Sequence, residues 1–297
     1  MNRSLLLIFL IPVYAFPIEN EERATALDIC LGCHVETGRV LDIFFSPHGS
    51  ADDPLSPMNQ GQCESCHGNN DAHLGDPDIL PPEVTFKKKW STPPEKQDAA
   101  CLKCHNDSKR MHWPGDAHPR NDVNCVDCHT IHARKDPVLT REGELRVCGA
   151  CHSDVRGQML KVSTHPMSKL DMRCSSCHAV HGSLNEGTMK RLTLNQTCYE
   201  CHADRRGPFL WEHAPVREQC THCHVPHGSN NRSMLRTRVP FLCQQCHSMA
   251  GHPSSELAPD GTSSGHTNSK FMLVKGCLNC HPAVHGSNHP SGVKLVR

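Results

Sequence analysis

Aromatic residues make up only 4% of the 297-residue chain, with two tyrosines and three tryptophans, and mean hydropathy is −0.51. Proline and glycine together number 42. This composition excludes a conventional hydrophobic core of the size a chain this long normally builds, so something other than apolar side chains has to fill the interior. Beyond the N-terminal segment no apolar run approaches the ~20 residues of a membrane-spanning helix, which excludes a helical integral membrane protein. Charge of one sign is lacking as well: 31 Lys and Arg face 31 Asp and Glu, and nucleic acid is therefore an implausible partner.

The N-terminus has a different character. Met1-Asn2-Arg3-Ser4 precedes an apolar stretch from Leu5 to Tyr14 and a small residue at Ala15, with Val13 two positions before it. A basic start, an apolar stretch too short to span a bilayer and a small-x-small site together describe a secretory signal peptide over residues 1–15, with an uncleaved anchor as the weaker reading. The mature chain then covers residues 16–297 and is exported to the periplasm, soluble once there. No lipid-box cysteine lies near the cleavage site.

What the chain has in excess is cysteine, twenty residues, every one in a Cys-x-x-Cys-His pentad. The first five are Cys30-Cys33-His34, Cys63-Cys66-His67, Cys101-Cys104-His105, Cys125-Cys128-His129 and Cys148-Cys151-His152. The second five are Cys174-Cys177-His178, Cys198-Cys201-His202, Cys220-Cys223-His224, Cys243-Cys246-His247 and Cys277-Cys280-His281. Two thiols one turn apart suit thioether bonds to the two vinyl groups of a haem, and the adjoining histidine meets the iron from one face. A disulfide scaffold or a string of zinc knuckles accounts for even cysteines or for Cys-x-x-Cys, but neither requires a histidine directly after the second cysteine. With 24 histidines in the chain, ten such placements by chance have odds on the order of one in 10¹¹ against the motif that demands them. The expected cofactor is ten covalently bound haem c groups, which would fill the missing core.

Fourteen histidines lie outside the pentads, and ten are ordered. Taking the motifs in consecutive pairs, the second motif of each pair is flanked on both sides: upstream by His48, His118, His165, His213 and His266, downstream by His73, His132, His181, His227 and His285. These ten are the candidate distal ligands, and the repeat is a two-haem unit occurring five times. His132, His181 and His227 follow their own motif histidine by three residues, a reach of at most ~10 Å, too short to round a porphyrin edge. Each must serve another haem, most simply the first of its own pair. The upstream histidines have chain enough to reach their own iron. His112, His222, His252 and His289 are read as surface residues. The ten methionines hold no repeat-locked position and are read as packing.

An insertion, about 74–100, stretches the first unit and carries Pro81-Pro82, Lys87-Lys88-Lys89 and Pro93-Pro94. It reads as an exposed loop, with a docking segment as the alternative. Short helical turns are expected at the motifs, a longer amphipathic stretch from Pro137 to Arg146, and coil elsewhere with little or no β-structure. The fold class is a multihaem cytochrome c, mostly coil with short α-helices, drawn out as an elongated haem wire because each two-haem unit stacks only on its neighbours.

From about Cys101 to its end the chain resembles the DmsE family of periplasmic decahaem cytochromes, the MtrA type. The resemblance is carried by Cys198-Tyr199-Glu200-Cys201-His202, by Gly207-Pro208-Phe209-Leu210-Trp211-Glu212-His213-Ala214-Pro215-Val216, and by Pro226-His227-Gly228-Ser229-Asn230-Asn231. Pro240-Phe241-Leu242-Cys243-Gln244-Gln245-Cys246-His247 and Val284-His285-Gly286-Ser287-Asn288-His289-Pro290 complete it. It implies haems with two histidine ligands each, arranged as a wire within an outer-membrane β-barrel porin. It also implies partners: periplasmic cytochromes on one side, and an extracellular cytochrome or terminal oxidoreductase on the other.

The function expected is electron carriage between the periplasm and the outer-membrane or extracellular side, without catalysis. A soluble periplasmic shuttle or store is the alternative, and a multihaem reductase a further one. A reductase needs an open iron or a departure such as lysine in place of a motif histidine, whereas all ten pentads here end in histidine.

Overall fold

The computed structural model describes residues 21–36, 38–86, 90, 92–167, 172–248 and 277–296. The proposed signal peptide, Lys87-Lys88-Lys89, His252 and the candidate ligand His266 lie outside the described residues. The chain divides into two units, one of residues 1–92 with 131–135, the other of residues 93–130 with 136–297.

In both units the motifs dictate the local structure. The first motif of a pair closes a helix: Glu21–His34, Pro94–Leu102, Arg141–Cys151, Leu194–Tyr199 or Phe241–Gln244. The second is a single turn, as at Glu64–His67, Cys125–Cys128, Cys174–Cys177, Cys220–His222 and Cys277–Asn279. One helical turn is what brings cysteines three apart onto one face.

Start signals are legible in the sequence. Pro94 occupies the first helical position, where its missing N–H costs nothing. Thr140 accepts from Gly143 N at 3.0 Å. Thr193 accepts from Gln196 N at 3.2 Å while Gln196 answers to Thr193 N at 3.3 Å, a reciprocal cap. The Thr140 cap also explains the one helix whose start differs from expectation. Pro137–Leu139 is a separate 3₁₀ turn, and the helix begins at Arg141 and runs to Cys151.

Among the described residues the chain has no strand, only isolated bridges such as His178 with Met189 and His224 with Leu235. Among the described residues the buried apolar ones are Val84, Ala100, Trp113, Val126 and Ala133, while buried polar residues are more numerous. No large side chain among the described residues is fully buried. No described helix is long and apolar enough to cross a membrane.

Among its described residues the insertion is exposed throughout its first part and mixed in its later part, where Pro93, Glu95, Lys96 and Ala99 are exposed. Ile79 is 70% exposed, but Val84, Thr92, Gln97, Asp98 and Ala100 are buried. Contacts with the preceding motif hold it, among them Asn69 N donating to Glu83 at 2.9 Å, Val84 N donating to His67 O at 2.9 Å and the Phe86 ring meeting His67 edge-on at 5.3 Å.

Candidate haem sites

Within each pair the first cysteines of the two motifs come within hydrogen-bonding reach of each other: Cys30 with Cys63, Cys101 with Cys125, Cys148 with Cys174, Cys198 with Cys220 and Cys243 with Cys277. The two attachment sites of a unit are therefore side by side.

In three units a polar side chain just before the first motif fastens the second. Asp98 Oδ1 accepts from Cys125 N at 2.8 Å, and Asn195 Oδ1 accepts from Cys220 N at 2.8 Å. Glu144 accepts from Ser175 N at 2.6 Å and from Ser175 Oγ at 3.0 Å. These residues were not apparent from the pentads alone. Their signal is a polar residue three or four positions before a first motif, each nearly buried. Glu144, Cys148 and Cys174 lie close enough together to suggest a metal site, but the carboxylate is already occupied by Ser175 and the cysteines belong to attachment motifs. Replacing Glu144 by alanine leaves the Ser175 N–H unmet at the start of the Cys174 turn. We expect a loss of about 2 kcal/mol and a lower thermal midpoint with haem content unchanged; an unaltered midpoint would show the contact to be idle.

The histidines form a second pattern. Eight ring pairs each join one motif histidine to one flanking histidine with centres 6.1–6.4 Å apart. They are His34 with His73 and His67 with His132 in the first unit of the chain. In the second they are His152 with His118, His129 with His181, His202 with His165, His178 with His227, His247 with His213 and His224 with His285. An iron bonded to a nitrogen of each ring at about 2 Å, with half a ring beyond on both sides, requires a separation just over 6 Å. The donor sets therefore fit haem iron.

Protonation fits as well. His67, His165, His178, His213 and His224 each place Nδ1 2.7–3.0 Å from a backbone carbonyl, of Val84, Pro226, Gly187, Val284 and Ser233 respectively. A carbonyl only accepts, so these rings carry the proton on Nδ1 and offer Nε2. Burial pushes His67, His105, His132, His181, His227 and His285 below the usual imidazole value, which favours the neutral form that a metal needs.

The pairing register differs from the expected one. His181 faces His129, the second motif of the preceding pair, and His227 likewise faces His178; neither faces the first motif of its own pair. The upstream residues do not turn to their own motif either. His118, His165 and His213 face His152, His202 and His247, the first motifs of the following pairs. Chain reach excluded the nearest haem correctly, but the choice among the others depends on how pairs stack, which spacing does not encode. His48 sits in a short turn, Pro47–Gly49.

Comparison with known proteins agrees with this picture. The doubled CXXCH motif model matches residues 165–207 and 213–252, the cytochrome c-type protein NrfB-like model residues 63–151, and the cytochrome c554 and c-prime model residues 15–68. The cytochrome c-type protein NrfB of Haemophilus influenzae is 27% identical over 42% of this chain and 64% of its own length. The multihaem cytochrome MtrA of Shewanella baltica is 47% identical over 271 residues, 91% of this chain and 81% of that protein. With paired motifs throughout, facing histidines suited to iron and nearly half its residues shared along most of both chains, the protein belongs to the MtrA family of multihaem c-type cytochromes, which are electron carriers.

Proposed function

We propose that the chain conducts electrons along ten c-type haems, each held by two histidines, between the periplasm and the outer-membrane or extracellular side. The observation that carries this reading is the set of eight facing ring pairs. Each has the separation that an iron between the rings requires, with the two histidines as its axial ligands on this reading. An iron without an open position exchanges electrons but does not bind a substrate. The remaining candidate ligands are His48 and His266, for two remaining motif histidines, His105 and His281.

The leader-like N-terminus supports export, and the resemblance to the MtrA type supports a β-barrel porin as partner, with periplasmic and extracellular cytochromes or a terminal oxidoreductase as donor and acceptor. Electron paramagnetic resonance on the purified holoprotein tests the core of this reading. All ten haems are expected as low-spin ferric centres with two histidine ligands. A substantial high-spin signal, or a methionine-ligation band in the near infrared, would overturn it in favour of a catalytic cytochrome.

A further inference from the structure

After the second motif of each pair the chain turns and comes back to meet the motif histidine it has just left. In four pairs a backbone carbonyl receives the Nδ1–H: Val84 for His67 at 3.0 Å, Gly187 for His178 at 2.9 Å, Ser233 for His224 at 2.8 Å and Lys294 for His281 at 2.7 Å. The second pair departs from this. There the carboxylate of Asp136 takes the proton, with His129 Nδ1 2.6 Å from Asp136 Oδ2.

The carboxylate is fixed and sheltered. Its side chain is 14% exposed, and Oδ1 accepts from Thr130 N at 3.2 Å and Val138 N at 3.3 Å. Among the described residues no lysine or arginine pairs with it. Arg110 is felt at His181, on the opposite side of the same ring pair, but its own partner is Asp107 at 2.8 Å, so its charge does not cancel that of Asp136.

The departure is written in the sequence. Where the later pairs read His181-Gly182-Ser183, His227-Gly228-Ser229 and His285-Gly286-Ser287, the second reads His132-Ala133-Arg134-Lys135-Asp136. Those glycines take φ of 101°, 146° and 130°, a region that an alanine avoids. Without that turn the chain comes back sooner, and a side chain arrives where a carbonyl would.

We propose that Asp136 lowers the reduction potential of the haem attached at Cys125 and Cys128, making it the most reducing of the second haems of the five pairs. The proposal rests on the reading of His129 and His181 as the axial ligands of that iron. A backbone carbonyl is a neutral acceptor. A carboxylate makes a charge-assisted bond that draws the Nδ1 proton outward and gives the ring imidazolate character. The resulting electron density at Nε2 stabilises ferric over ferrous iron. Asp136 is thus a tuning residue that acts through His129. Among the second haems it is then the last to fill on reduction and the first to empty on oxidation.

The test is Asp136→Asn in the holoprotein, followed by redox titration and electron paramagnetic resonance. Asparagine caps as well as aspartate, so its oxygen retains the hydrogen bonds from Thr130 and Val138, while its NH2 replaces the oxygen that accepted from His129 and both the charge and that acceptor are lost. One haem of the ten should move to higher potential, with the other nine in place, and its low-spin signal should broaden in g-value spread. Absence of any displaced haem, or displacement to lower potential, overturns the proposal. Should the variant fail to mature, the wild-type spectrum decides: one haem in ten must show the compressed g-value spread of an imidazolate-like ligand, and its absence overturns the proposal too. Ten low-spin bis-histidine haems with no displaced potential would sink the role of Asp136 alone. A haem at Cys125 and Cys128 with another ligand set would sink the ligand reading beneath it.

Discussion

Replacing His181 by alanine will open one axial position on the haem carried by Cys125 and Cys128, and will leave the haem on Cys174 and Cys177 six-coordinate although His181 is only three residues beyond His178. The two rings that face each other are His181 and His129, 6.1 Å apart and nearly parallel at 18°. His178 is matched instead by His227 at 6.1 Å. Alanine offers no ligand to the iron. One haem of ten should become high-spin, and the reduced variant should bind one carbon monoxide per chain where the wild type binds none. The assignment is checked by repeating the substitution with Cys125 and Cys128 replaced by serine. With that haem gone, His181→Ala should add no high-spin signal, and a signal that persists would place His181 on a different iron.

The pentads are covalent chemistry, so their spacing alone marks the expected attachment cysteines; the five-fold recurrence of flanking histidines likewise singled out residues of which the structure brings His73, His118, His132, His165, His181, His213, His227 and His285 against motif histidines. The partner of each was not legible. A reach of three residues forbids His181 from its own iron but does not distinguish His152 from His129, since both lie in neighbouring sequence and only the stacking of pairs separates them. Asp98, Glu144 and Asn195 escaped notice for a similar reason. A lone polar residue before a motif looks like any solvated side chain until the second motif is seen to dock its backbone N–H there. In the insertion, prolines and lysines suggest a wet loop, and they give no sign that Val84 carries the carbonyl that fixes the His67 tautomer.

Removing the haem from the middle of the series, by replacing both Cys174 and Cys177 with serine, is expected to abolish electron passage across a membrane. In the larger unit, neighbouring pairs are fastened by two ring contacts. For the second and third pairs these are His118 with His152 and His181 with His129; for the third and fourth, His165 with His202 and His227 with His178; for the fourth and fifth, His213 with His247 and His285 with His224. Each of these contacts joins consecutive pairs, so within the larger unit the motifs are linked in the order of the sequence. A chain linked only between neighbours offers an electron no second route. The experiment uses vesicles that contain the β-barrel porin, the holoprotein and a trapped redox dye, with a membrane-impermeant reductant outside. Wild-type protein should reduce the dye well above the rate of vesicles with porin alone, and the Cys174→Ser, Cys177→Ser variant should fall to that background while retaining its other haems. If the variant conducted as well as the wild type, the haems would not form a single series. If the wild type itself did no better than porin alone, the conduit would give way to a soluble periplasmic carrier.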